Sequence, residues 1–181
     1  MRKLVHPNSD TILGIDFSPD GDRIVSASAD HTVKMFRVDD GSFLRLFGGH
    51  THHVLGVSWK FDGRLIASCG ADNVVKIWDL DSSDKKKRPI SMHKKEVTGI
   101  SFVGYSDEIL TSSGDKQVGL HRAGDGGTIR SFEGATDFLY SAAASDDGKS
   151  IVAGGEDSVL RVWDGANGKK LHHFEPERIR E

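Results

Sequence analysis

Between residues 49 and 79 the chain reads Gly49-His50-Thr51-His52-His53, Val54-Leu55-Gly56-Val57-Ser58-Trp59, Phe61-Asp62-Gly63, Leu65-Ile66-Ala67-Ser68, Ala71-Asp72-Asn73 and Val74-Val75-Lys76-Ile77-Trp78-Asp79. Each apolar segment is short, rich in Val, Ile and aromatic residues, and bounded by Gly, Asp, Asn or Ser, a pattern that predicts strands. No segment carries the i, i+3, i+4 stripe of a helix. Outward from this stretch the same order recurs around Asp30, Asp115 and Asp157, so the four aspartates are spaced by 42, 43 and 42 residues. Six positions after each stands Phe36, Trp78, His121 or Trp163. A period of this size marks an array in which one small unit is copied because a single copy cannot bury its own faces.

Each copy holds four strands. Ser18-Pro19-Asp20-Gly21 has Pro at the second and Gly at the fourth position of a type I turn, and Phe61-Asp62-Gly63 and Asp146-Asp147-Gly148 place glycines equivalently. A fourth strand follows each aspartate and aromatic, as in Ser42-Phe43-Leu44-Arg45-Leu46-Phe47 and Thr128-Ile129-Arg130-Ser131-Phe132. The expectation is an all-β chain of four four-stranded antiparallel sheets. It forms one domain, with copies at about 6–48, 49–91, 92–133 and 134–175 and a short polar tail at 176–181.

Gly49-His50 followed by Ser68, Asp72 and Trp78-Asp79 resembles the WD40 repeat, the blade of a β-propeller, and the resemblance covers roughly residues 8 to 175. It implies that His50, Ser68, Asp72 and Trp78 form a hydrogen-bonded tetrad joining the loop that enters a blade to its second and third strands. The chemistry suits these side chains, which satisfy one another where loop backbone is otherwise buried unpaired. The other copies depart from the pattern. The third has His93, Thr111 and Asp115 with His121 in the tryptophan position; the fourth keeps Asp157 and Trp163 but has Ala135 and Ala153; the first keeps Ser26 and Asp30, with Phe36 for Trp and only Asn8 or His6 near the histidine position. Looser entering loops are expected in the first and fourth copies.

With 181 residues, four copies leave no room for a second domain. A net charge of −3 gives no general electrostatic reason to bind nucleic acid or an anionic membrane. No run of 18 apolar residues and no signal-like h-region is present, and the expectation is a cytoplasmic protein. Cys69 lies alone in a strand and reads as a small core residue. The basic run Lys85-Lys86-Lys87-Arg88 follows its own aspartates and reads as a solvated loop more readily than a nuclear address.

His50, Ser68 and Asp72 are the residue types of a hydrolytic triad, yet the strained Gly-x-Ser-x-Gly elbow is missing and the structural reading prevails. His50-Thr51-His52-His53 offers imidazoles to a metal, but no acid or cysteine stands at zinc spacing, and strand-end alternation is expected to separate His52 from His53. The Asp125-Gly126-Gly127 and Gly165-Ala166-Asn167-Gly168 stretches lie between strands and read as hairpin turns. No catalytic residue, cofactor or metal is therefore expected; His53 with Glu96 is the best pair an enzyme reading has.

The resemblance also implies docking of protein partners on the rim where the entering loops meet, at Thr11 and Leu13, His53 and Leu55, Glu96 and Thr98, Phe138 and Tyr140. Only the fourth copy puts aromatics at both positions, with Glu156 just before its turn aspartate. Phe138, Tyr140, His53, Leu55, Glu96 and Glu156 are the expected partner-binding residues of a non-catalytic scaffold. Four blades of a fold that usually has more make an open arc, whose exposed flanks invite association. Two copies closing an eight-bladed ring, or blades missing from a longer propeller, are the two expectations, the second resting partly on a strand at Lys3-Leu4-Val5.

Overall fold

The computed structural model describes residues 8–81, 90–91 and 93–176. Lys3-Leu4-Val5, His6, the Lys85–Arg88 run and residues 177–181 of the tail lie outside them. The described residues form strands and turns with no helix.

Sixteen strands make four sheets. The first contains β1 (Ile12–Phe17), β2 (Arg23–Ser28), β3 (Val33–Arg37) and β4 (Phe43–Phe47). The second contains β5 (Val54–Trp59), β6 (Leu65–Gly70), β7 (Val74–Asp79) and β8 (Ile90–Ser91). The third contains β9 (Val97–Phe102), β10 (Glu108–Ser113), β11 (Val118–Arg122) and β12 (Thr128–Phe132). The fourth contains β13 (Leu139–Ala144), β14 (Ser150–Gly155), β15 (Leu160–Asp164) and β16 (Lys170–Phe174). All are antiparallel meanders in chain order.

The turns explain this regularity. Gly21, Gly63 and Gly148 have φ of 75°, 75° and 68°, which closes the first hairpin of three sheets without the clash a Cβ brings. The residue after each repeat aspartate, His31, Asn73, Lys116 or Ser158, is also left-handed, with φ between 58° and 74°. The β11–β12 and β15–β16 hairpins turn through Gly126 and Gly168, at φ 75° and 76°.

The sheets stack face to face, β1 against β5, β5 against β9 and β9 against β13. Val57 and Trp59 reach back into a cluster with Val25 and Ala27, while Leu139, Ile151 and Trp163 pack with Leu110 and Val118. Polar links cross the seams: the Trp59 amide donates to Asp16 at 2.7 Å, the Phe102 amide to Ser58 Oγ at 3.2 Å, and Thr98 Oγ1 to the Leu139 carbonyl at 2.7 Å. Buried Cys69 belongs to the core, where desolvation pushes its thiol well above the usual range. At the outer face of β1 the packing stops. Ile15 and Phe17 are 72% and 58% exposed, although Val57 and Trp59 at the equivalent places in β5 are 7% and 6% exposed.

Alternating strand direction gives the stack two loop faces. The entering loops and the β2–β3-type turns share one. The β1–β2-type and β3–β4-type turns share the opposite one.

Candidate functional site

The frame of the entering-loop face is a clasp built on the repeat aspartates. Each aspartate accepts the amide two residues on in its own turn, from Thr32, Val74, Gln117 or Val159, at 3.1–3.3 Å. Each also accepts an amide from the loop entering its sheet, Ser9, Thr51, Lys94 or Thr136, at 2.9–3.0 Å. The carboxylate thus satisfies two otherwise orphaned donors in every copy. The entering loops of the first and fourth sheets, expected to be looser, carry the same clasp as the others.

In the second sheet the network runs to completion. Trp78 Nε1 donates to Ser68 Oγ at 3.0 Å, Ser68 Oγ and His50 Nε2 are 2.9 Å apart, and His50 Nδ1 lies 2.9 Å from Asp72. A neutral imidazole protonated on Nδ1 lets every donor meet an acceptor, and burial lowers the His50 pKa, which favours that form. The serine hydroxyl points along this chain between two buried side chains, so it is a link and has no access to a substrate.

The third sheet repeats the network with different atoms. His93 Nε2 lies 2.8 Å from Thr111 Oγ1 and its Nδ1 3.0 Å from Asp115. His121 occupies the tryptophan place, with Nε2 3.2 Å from Thr111 Oγ1 and Nδ1 3.2 Å from Thr128 Oγ1. Desolvation lowers the His121 pKa to about 4, so a neutral ring donates from Nε2 as the indole does elsewhere.

The first and fourth sheets lack the histidine and solve the problem another way. Lys34 Nζ stands 3.0 Å from Asp30, and Arg161 grips Asp157 with both nitrogens at 3.0 and 2.8 Å. All four side chains are buried, and both carboxyls are held well below the usual range, Asp30 against its own desolvation by Thr32, Ser9 and Lys34, and Asp157 chiefly by Arg161. Asn8 donates to Ser26 Oγ at 2.8 Å, and Trp163 Nε1 donates to the Glu133 carbonyl at 3.0 Å, which stands in for the absent serine. The sequence marks this exchange poorly, since a cation stands four residues after the aspartate also at Lys76, in the copy that keeps its histidine.

The rim residues sit on this frame. Tyr140 is 56% exposed; its hydroxyl donates to Glu156, whose carboxylate raises the phenol pKa. Phe138 is 5.3 Å from Tyr140 between ring centroids but is only half-exposed, because its edge lies over Gly114 of the third sheet. A Cβ at Gly114 would sit 2.3 Å from the ring, so any larger residue there would push Phe138 out of this position. Of the two aromatics at these positions, Tyr140 is the exposed one and Phe138 is wedged against the neighbouring sheet. Lys116 Nζ donates to the Thr136 carbonyl at 2.7 Å and pins the same loop.

His53 is exposed, and Leu55 and Glu96 are half-buried. The rings of His52 and His53 are not separated: their centroids are 4.5 Å apart, and each lies 5.9 Å from His31. The His53 amide donates to His52 Nδ1 at 2.8 Å, and this local bond overrides strand alternation because both residues precede β5. Among the described residues no three His, Cys, Asp or Glu groups are placed to hold a metal ion. Two clefts, of about 550 and 620 Å³, lie on the opposite face, lined by such residues as Lys60 and Asp107 or Asp20 and Arg37.

Comparison with known proteins places this geometry. The family described as WD domain, G-beta repeat matches residues 1–37, 41–79 and 126–164. Nuclear distribution protein PAC1 of Arthroderma benhamiae is 30% identical over 173 residues, covering 90% of this chain and 38% of that protein. Nuclear distribution protein nudF of Aspergillus niger is 27% identical over 173 residues, 94% of this chain and 39% of that protein. Eukaryotic translation initiation factor 3 subunit I of Schizosaccharomyces pombe is 26% identical over 90 residues, 49% of this chain and 27% of its own length. The chain thus spans well under half the length of these relatives.

Proposed function

Because this chain belongs to the WD40-repeat family, we propose that it is a non-catalytic scaffold that captures a partner protein on its entering-loop rim, with the fourth sheet as anchor. Tyr140 carries the reading: a large ring, exposed, oriented by Glu156 and braced by Phe138 on a frame whose loops are clasped. A preorganised aromatic loses little freedom on binding, which is why such rings dominate interfaces. His53, Leu55 and Glu96 extend the same rim toward the second and third sheets. Two relatives named as subunits, the initiation factor component and a THO complex subunit 6 homolog, are proteins of assemblies, which supports the class without naming a partner. A cytoplasmic setting accords with this; no helix of the described residues is long and apolar enough to cross a membrane.

Tyr140→Ala is expected to weaken partner capture by about 2 kcal/mol while circular dichroism stays unchanged; Phe138→Ala weakens capture and loosens the Gly114 seam as well. Unchanged capture in both, with loss on substituting His53 and Leu55, would place the anchor on the second sheet.

A second reading rests on the open face of β1. We propose that a second copy covers Ile15 and Phe17 with its β14, two chains closing an eight-bladed ring. The seam chemistry fits. Ala143 of β13, equivalent to Asp16 and Ser58, offers no side-chain acceptor, and the Phe17 amide needs none because Asp16 Oδ1 accepts it at 2.8 Å.

A further inference from the structure

We propose that the partner held at the fourth sheet presents a lysine or arginine, whose cation lies against the Tyr140 ring between Asp137 and Glu156; the inference rests on the reading of that sheet as the anchor. The backbone fixes the geometry. Glu156 stands just ahead of the turn aspartate, and its amide donates to the Phe138 carbonyl at 2.8 Å, which brings its carboxylate within reach of the Tyr140 hydroxyl. Asp137 faces the same phenol from the entering loop. The phenol pKa is raised first by the Glu156 hydrogen bond and also by the charge of Asp137. All three side chains are exposed.

This combination belongs to the fourth copy alone. Leu13, Leu55 and Thr98 hold the place of Tyr140 in the other copies, and Ala29, Ala71 and Gly114 hold that of Glu156. The turn therefore forms without an acid there. Asp137 accepts the Phe138 amide at 2.8 Å, as Asp10 does for Thr11, and its other oxygen is left open. Among the described residues neither Asp137 nor Glu156 joins an ion pair, and no hydrogen bond reaches Asp137 Oδ2 or Glu156 Oε1. Orienting one phenol takes one acceptor, so two open carboxylates beside it exceed what the ring needs.

Charge selects the occupant. The cations that reach this part of the rim are committed elsewhere, Arg161 to Asp157 in a buried pair and Lys116 Nζ to the Thr136 carbonyl at 2.7 Å. Lys94 and Lys95, in the entering loop of the third sheet, pair with neither carboxylate, and the charges acting on the phenol are Glu156 and Asp137. An exposed aromatic face flanked by two carboxylates attracts an ammonium or guanidinium through the ring quadrupole and the charges together, and it repels an acidic segment.

The test is a nuclear magnetic resonance titration with a short peptide alternating lysine and glycine, against the same peptide with every lysine acetylated. Saturable shifts at Asp137, Tyr140 and Glu156 with the lysine peptide, and none with the acetylated one, are the expected result. The double change Asp137→Asn and Glu156→Gln keeps an oxygen for the Phe138 amide and the Tyr140 hydroxyl and removes only charge; it is expected to weaken binding about tenfold. Asp22→Asn with Asp39→Asn removes the same charge from exposed positions on the opposite face and binds like the unchanged chain. No binding of the lysine peptide, equal shifts with the acetylated one, or equal weakening by both double variants would overturn the proposal. Crosslinking from position 140 separates its failure from that of the anchor. A partner adduct undiminished by the Asp137→Asn and Glu156→Gln change overturns the cation and leaves the anchor in place, whereas the absence of any adduct overturns the anchor itself.

Discussion

Ser68 is the most economical place to test the clasp. Its hydroxyl accepts from Trp78 and serves His50, and both partners are buried. Ser68→Ala strands two polar groups and is expected to cost about 1–3 kcal/mol in urea unfolding. Arg161→Met leaves the Asp157 carboxylate without its cation. The expected loss is about 3 kcal/mol, the low end for a broken buried pair, because Thr136 and Val159 still donate to Asp157. Acid separates the two kinds of clasp. Asp30 and Asp157 have depressed pKa values, so their contribution is full at neutral pH and fades as pH falls below the ordinary carboxylate range. His121 is also depressed, from 6.5 to about 4, which means the unfolded chain takes up a proton first. Its contribution is complete above pH 6.5 and is lost as pH falls toward 4. His121→Trp, which substitutes the indole found in the second sheet, is expected to flatten stability across that window in urea midpoints measured at a series of pH values.

At the scale of a strand or turn, much was legible. The recurring aspartate and the glycines after each first strand place sixteen strands and their hairpins, because a turn leaves its mark in the few residues able to adopt it. Ser158 is left-handed at φ 58°, and Ser158→Gly is expected to stabilise by about 1 kcal/mol in the same unfolding assay. Contacts between sheets were less legible. Nothing near Phe138 in the sequence marks Gly114, 24 residues earlier, as the residue that receives its edge. The pairing of Phe61 with Tyr105, and the His31, His52 and His53 group, arise from loops that meet only when sheets stack. No local pattern encodes such distances. The tetrad was legible in the second sheet because its residues keep the family's types, and illegible in the first and fourth because a lysine and an arginine do the work of a histidine from a different strand position.

For the molecule as a whole, stacking leaves two surfaces of different character and one uncovered flank. The rim is a braced aromatic platform; the opposite face carries an exposed ring pair; the flank exposes Ile15 and Phe17, whose counterparts Val57 and Trp59 in the second sheet are buried. If the flank is the seat of a second copy, light scattering shows a dimer for the unchanged chain and a monomer for Phe17→Asp; a monomer for both contradicts ring closure. The central claim is that the fourth-sheet rim holds the partner. The most direct measurement places a photo-crosslinking residue at position 140 in one sample and at position 53 in another. A discrete adduct from position 140, weakened when Phe138→Ala removes the brace, is the predicted result. Adducts from position 53 with none from position 140 would contradict it.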